Sequence, residues 1–184
     1  MEFNEKTLED IIWDNCQTPE GRKILSSRGL SIYVSVYRQV DLGSYGRADL
    51  VTVQFEPSVN IVHITVFELK KGCININALM QAERYVTALK RHGFNNDDLD
   101  YDVEYNICLI GDSFDEKGDF AFLYNEINDV EIYSYEFKLT GIFFNEIGRN
   151  WTHTNEKTNK ETATIITEDL RNEIKEFCGN DLSE

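Results

Sequence analysis

Three observations predict an α/β fold, a mixed β-sheet flanked by helices. Segments of strand period and helix period alternate along the chain. A meander of three strand-like segments, Leu30 to Val40, Arg47 to Phe55 and Ile61 to Lys70, precedes an amphipathic helix over Asn75 to Arg91. The run Tyr105 to Ile110 is apolar nearly throughout, the pattern of a strand covered on both faces. With 184 residues, 11 Phe, 9 Tyr and 2 Trp against 11 Gly and 2 Pro, the chain carries enough core material for one compact domain and is unlike disordered or collagen-like sequences.

From the N-terminus, Leu8, Ile11 and Ile12 fall on one face of a helix over Asn4 to Cys16, and a second short helix starts near Pro19, a residue tolerated in a first turn. The meander follows, its strands separated by the turn segments Gly43 to Gly46 and Pro57 to Asn60. Leu79, Ala82, Val86 and Leu89 set the apolar stripe of the next helix, which crosses over to the buried strand. A short helix over Asp119 to Ile127 and strands over Val130 to Phe137 and Leu139 to Ile147 complete a domain spanning 1–147. Beyond it, 148–184 reads as a polar connection and a C-terminal helix packing on the same domain. That helix has Thr167 as cap, acids in its first turn, Leu170, Ile174 and Phe177 at helical spacing, and Gly179 as its stop.

No apolar run approaches the ~18 residues of a membrane span, and Met1 to Asp10 is charged, without the apolar core of a secretory signal. The expectation is a cytoplasmic protein with no membrane partner. The four cysteines and three histidines are scattered, which argues against a disulfide scaffold and a structural zinc site.

Eighteen basic and 33 acidic residues give a net charge of −15, which alone argues against avid nucleic-acid binding. The distribution is uneven. Between Gly21 and Arg91 ten basic residues face five acidic ones, a net of +5, and the remainder, eight against 28, carries −20.

Alternation in the second and third strands places ionisable groups where apolar ones are expected. Glu68 and Lys70 continue the row of Val62, Ile64 and Val66, and Asp49 continues the row of Val51, Val53 and Phe55 with Arg47 further out. If the two strands are hairpin neighbours, two carboxylates meet on the covered face, at a cost in desolvation and repulsion. A divalent cation held by oxygen ligands would offset that cost. An ordinary salt-bridge cluster at water-exposed strand ends is the other reading of the same residues.

The segments Arg47-Ala48-Asp49-Leu50-Val51 and Phe67-Glu68-Leu69-Lys70-Lys71-Gly72, followed by Gln81 and Tyr85 on the next helix, resemble the PD-(D/E)XK nuclease superfamily. Asp49 and Glu68 lie 19 residues apart, within the family's habit, while Ala48 stands where the family's proline would be. The resemblance implies a restriction-endonuclease-like core and a Mg²⁺-dependent nuclease, Mn²⁺ substituting, with DNA favoured over RNA as substrate. It implies Asp49, Glu68 and an acid of the first helix, Glu9 or alternatively Glu5, as metal ligands, and Asp49, Glu68, Lys70 and Gln81 as the catalytic set. Arg38, Gln39, Arg47, Lys71 and Tyr85 are the candidates for nucleic-acid contact. Lys70 could act as general base or only as an electrostatic partner of water and phosphate. The acidic balance adds the expectation of a homodimer or a basic partner protein. Two rival readings are a catalytically inactive nuclease-like module that binds nucleic acid or protein, and an acidic protein that mimics DNA charge.

Overall fold

In the computed structural model, residues 3–92, 101–116 and 118–148 are described. The C-terminal helix expected within 148–184 lies outside them, apart from Gly148 itself. Helix α1, Glu5–Cys16, opens where the Asn4 side chain accepts the Thr7 N–H at 2.9 Å, and it turns Leu8, Ile12 and Cys16 inward. Helix α2, Pro19–Ser27, starts the same way, with the Thr18 hydroxyl accepting the Gly21 N–H at 3.0 Å and Pro19 in the first turn.

Strands β1 (Ser35–Asp41), β2 (Arg47–Glu56) and β3 (Ile61–Leu69) form the antiparallel meander. After the short strand β4 (Cys73–Ile74), α3 (Ile76–His92) crosses over to β5 (Asp102–Gly111), which pairs parallel with β3. The short strand β6 (Ser113–Phe114) and α4 (Asp119–Tyr124) follow, then β7 (Val130–Lys138), parallel to β5, and β8 (Gly141–Glu146), antiparallel to β7. The result is a six-stranded mixed sheet of order β1-β2-β3-β5-β7-β8 flanked by helices, the α/β architecture that the sequence predicts.

Each face of the sheet has its own apolar layer. On one, Val51, Ile64, Val66 and Leu109 meet Leu79, Ala82 and Val86 of α3 and Phe120 of α4. On the other, Leu50, Phe67, Leu69 and Ile110 meet Leu8, Ile12 and Leu25 of α1 and α2. Residues 107–111 of β5 are buried without a break, as a central strand covered on both sides requires. Cys16 and Cys108 are buried thiols and Cys73 is exposed. Among the described residues no helix is long and apolar enough to cross a membrane.

Three elements differ from the sequence expectation. Strand β1 begins at Ser35, where its pairing with Val53 of β2 begins, although Leu30 and Ile32 are buried. Their alternation reflects packing in the α1/α2 layer without a partner strand. The last strand begins at Gly141, because residues 139 and 140 form the turn and Leu139 is fully exposed. The two-residue strands β4 and β6 pair only with each other, and segments so short carry no period.

Gly29 joins the helical layer to the sheet edge. It adopts φ +96°, a Cβ there would lie 2.0 Å from the Phe144 carbonyl oxygen, and the neighbouring Arg28 carbonyl accepts the Phe144 N–H at 2.7 Å. Gly29→Ala should therefore destabilise by about 2 to 4 kcal/mol in chemical denaturation, through both backbone strain and collision with β8. An unchanged midpoint would mean that this junction has slack.

Candidate active site

The register of β2 with β3 pairs Val51 with Val66 and Leu50 with Phe67, which brings Asp49 and Glu68 to adjoining positions on the α3-covered face. Asp49 Oδ2 accepts the Leu69 N–H at 2.9 Å. Glu68 is 1 % exposed; its Oε1 takes the Lys70 ammonium at 2.5 Å, and its Oε2 is buried with no hydrogen-bond partner. Lys70 lies just past the end of β3, where its N–H continues the pairing by donating to the Ile110 carbonyl at 2.8 Å. Its Nζ also donates to Gln81 Oε1 at 3.3 Å, and Gln81 Nε2 donates to the Tyr85 hydroxyl at 2.8 Å. A chain of polar contacts thus runs from the buried carboxylate through Lys70 to α3, where Gln81 and Tyr85 stand one turn apart.

The turn after β3 is held at two points from the α1 side of the sheet. The Lys71 N–H donates to Glu5 of α1 at 3.1 Å, and the Lys71 carbonyl accepts the Tyr135 hydroxyl of β7 at 2.8 Å.

Burial pushes the Glu68 carboxyl up to about 7; the Lys70 hydrogen bond opposes the rise and the Asp49 charge adds to it. Asp49 is likewise pushed up by burial, against the pull of the Leu69 N–H, with the Glu9 charge raising it further. For Lys70, burial pulls down, but the hydrogen bond and charge of Glu68 and the charges of Glu5 and Asp49 outweigh it, and the ammonium is held above its ordinary value.

The expected ligand set of Asp49, Glu68 and Glu9 does not come together. Among the described residues no three His, Cys, Asp or Glu side chains converge on one point that could hold an ion. Glu9 is buried, but its Oε1 is held by the Arg38 guanidinium and its Oε2 by Gln39 Nε2 at 2.7 Å. Two consecutive strand residues ordinarily point to opposite faces; Gln39 reaches Glu9 beside Arg38 from a left-handed backbone, φ +51°. Arg38 also binds Asp10, whose carboxyl is held below the usual range by Arg38 and Lys6. Arg38 is therefore engaged by protein carboxylates instead of standing free for phosphate. Glu5, the alternative acid, acts electrostatically on Asp49, Glu68 and Lys70 alike. A cleft of about 480 Å³ opens between Glu5, Lys6, Glu9, Arg38, Gln39 and Asp49.

Of the remaining candidates, Arg47 and Lys71 are exposed. Tyr85 is 2 % exposed, so the expectation that it touches nucleic acid is corrected: its hydroxyl positions Gln81 from within the core. The pairing of Arg38 with α1, the backbone of Gln39 and the Tyr135 tether had no signal in the sequence, because each depends on contacts between segments distant in the chain.

No protein-family model matches the sequence, and no curated protein matches it. Among solved structures the chain is similar to the crystal structure of a repair endonuclease from Pyrococcus abyssi, at 22% identity and a TM-score of 0.44, over 74% of this chain and 48% of that one. The chain thus spans about half the length of that structure.

Proposed function

We propose that this chain is a divalent-metal-dependent nuclease that hydrolyses phosphodiester bonds, with DNA as its preferred substrate. One observation carries the reading: a buried Glu68 oxygen has no partner, beside the Asp49 carboxylate and the Lys70 ammonium. A buried carboxylate oxygen without a partner costs stability unless a cation completes it. Hard oxygen donors suit Mg²⁺ or Mn²⁺, and Asp49 and Glu68 are the residues that would hold the ion. When bound, such an ion supplies positive charge at the reacting phosphate and neutralises the two buried acids.

The chain's own residues supply the rest. Lys70, as an ammonium, can donate to a phosphate oxygen or orient the attacking water, and it adds positive charge where the transition state gains negative charge. Gln81 fixes Nζ from the α3 side and Tyr85 fixes the Gln81 amide. Tyr85→Phe removes that outer support. It should lower cleavage by about three- to tenfold while moving stability by no more than about 1 kcal/mol; a loss comparable to that of Lys70→Ala would place the hydroxyl closer to the chemistry.

The engagement of Glu9 by Arg38 and Gln39 favours a second reading, a nuclease-like module that binds without cleaving. The two are separated by incubating plasmid, single-stranded DNA and RNA with Mg²⁺, Mn²⁺ or chelator, comparing wild type with Glu68→Ala and Lys70→Ala. The nuclease reading expects cleavage that needs the ion and disappears in both variants. Equal cleavage by all three proteins, or none by wild type with either ion, overturns it.

A further inference from the structure

Arg84 lies on α3 next to Tyr85, exposed, with its guanidinium 5.7 Å from the centre of the buried Tyr85 ring. It borders a groove of about 580 Å³ along the outer face of α3, lined by Asn77, Met80, Gln81, Glu83, Arg84 and Thr87. Gln81 belongs both to this groove and to the chain of contacts that ends on Lys70, so the groove is linked to the candidate active site through that side chain.

Arginine usage sets Arg84 apart. Arg22 and Arg28 donate to backbone carbonyls, Arg38 to Glu9 and Asp10, and Arg91 to the Tyr45 hydroxyl. Arg47 and Arg84 make no hydrogen bond or ion pair within the described residues, in a chain with 33 acids. Both flank one turn. Gly46, at φ +110°, lets the backbone pass so close that a Cβ there would lie 3.0 Å from Tyr85 Cε1 and 3.6 Å from Arg84 Nη2. Arg47 follows at once and Asp49 two residues later.

We propose that Arg84, together with Arg47, grips a backbone phosphate of a nucleic-acid strand lying along α3, beside the phosphate that Lys70 and Asp49 would handle. The placement of that second phosphate rests on the nuclease reading; the grip itself does not. A guanidinium with no competing carboxylate, steadied on an aromatic face, is suited to a phosphate's paired oxygens. Glu83 on the same groove opposes it, which supplies a control of opposite sign.

The test is fluorescence anisotropy of a labelled single-stranded DNA oligonucleotide with the full chain carrying Glu68→Gln, so that bound strands are not cut, over a series of salt concentrations. Arg84→Ala should weaken binding about tenfold and reduce the slope of log affinity against log salt by about one phosphate's worth. Arg84→Lys should keep the parent's salt slope but bind more weakly than the parent, because an ammonium neutralises the phosphate without pairing its oxygens, and Glu83→Gln should tighten binding about twofold. In the chain with Glu68 intact, Arg84→Ala should raise KM and leave kcat unchanged. An unaltered affinity and salt slope in Arg84→Ala overturns the grip, as does a parent protein that binds no oligonucleotide. Cleavage by wild type with Arg84→Ala binding normally leaves the hydrolase and removes the grip. The reverse pattern, no cleavage but binding lost in Arg84→Ala, leaves the grip and removes the hydrolase.

Discussion

Glu68→Gln is expected to lower divalent-dependent cleavage by at least about a thousandfold and, at the same time, to make the metal-free protein more stable. The two effects have one cause. Burial and the Asp49 charge raise the folded-state carboxyl from its ordinary 4.5 to about 7, against the Lys70 hydrogen bond. A folded state that holds its proton more tightly than the unfolded chain gains stability from it below about 4.5. It loses that gain as pH rises through about 7. At pH near 8 the wild type therefore carries an unfavourable carboxylate that glutamine lacks, worth on the order of 1 to 2 kcal/mol after allowance for the lost Lys70 pair. Thermal denaturation in chelator should show the gap between variant and wild type widening from about pH 5 to 8. Mg²⁺ should close it by raising the wild type alone. A variant less stable at every pH would mean that the Lys70 pair outweighs the desolvation of Glu68, and the case for an ion would lose its main support.

Removing the other partner should hurt both properties. Lys70→Met deprives Glu68 Oε1 of its donor, so neither carboxylate oxygen retains a hydrogen bond. Cleavage should fall by about a hundred- to a thousandfold. Stability at pH 8 should fall by about 1 to 3 kcal/mol, at the low side of what breaking a buried pair costs, because Lys70 is a quarter exposed. The loss should shrink toward pH 5, where Glu68 takes up a proton. Adding Glu68→Gln should recover most of the stability and none of the activity, and the double-mutant cycle reports the coupling. Additive losses would show that the two side chains do not act as a pair.

How much of this could be read in the sequence follows from the range of the forces involved. The apolar stripes of α1 and α3 and a proline in the first turn of α2 are local, and the sequence places the ends of α1 and α3 and the start of α2 within a residue or two. Period-2 alternation put Asp49 and Glu68 on apolar rows, and the β2–β3 register that brings the rows together follows from a short hairpin. Strand β1 is shorter than its alternation predicts because Leu30 and Ile32 bury side chains without pairing. Glu9 illustrates the other limit: a helical acid beside a candidate site says nothing of its cation, and its partner Arg38 lies 29 residues away on an edge strand. Likewise, a tyrosine four residues after Gln81 fits the outside or the inside of a helix until the sheet beneath it is known.

The grip on the backbone just after Lys70 reaches from Glu5 to Tyr135. Every residue nominated for chemistry falls before Arg91, yet the strand that steadies them is made later. A fragment cut to the nominated stretch would retain its reactive groups and lose the anchor that aims them. During synthesis the centre would accordingly stay unformed until β7 has emerged and docked.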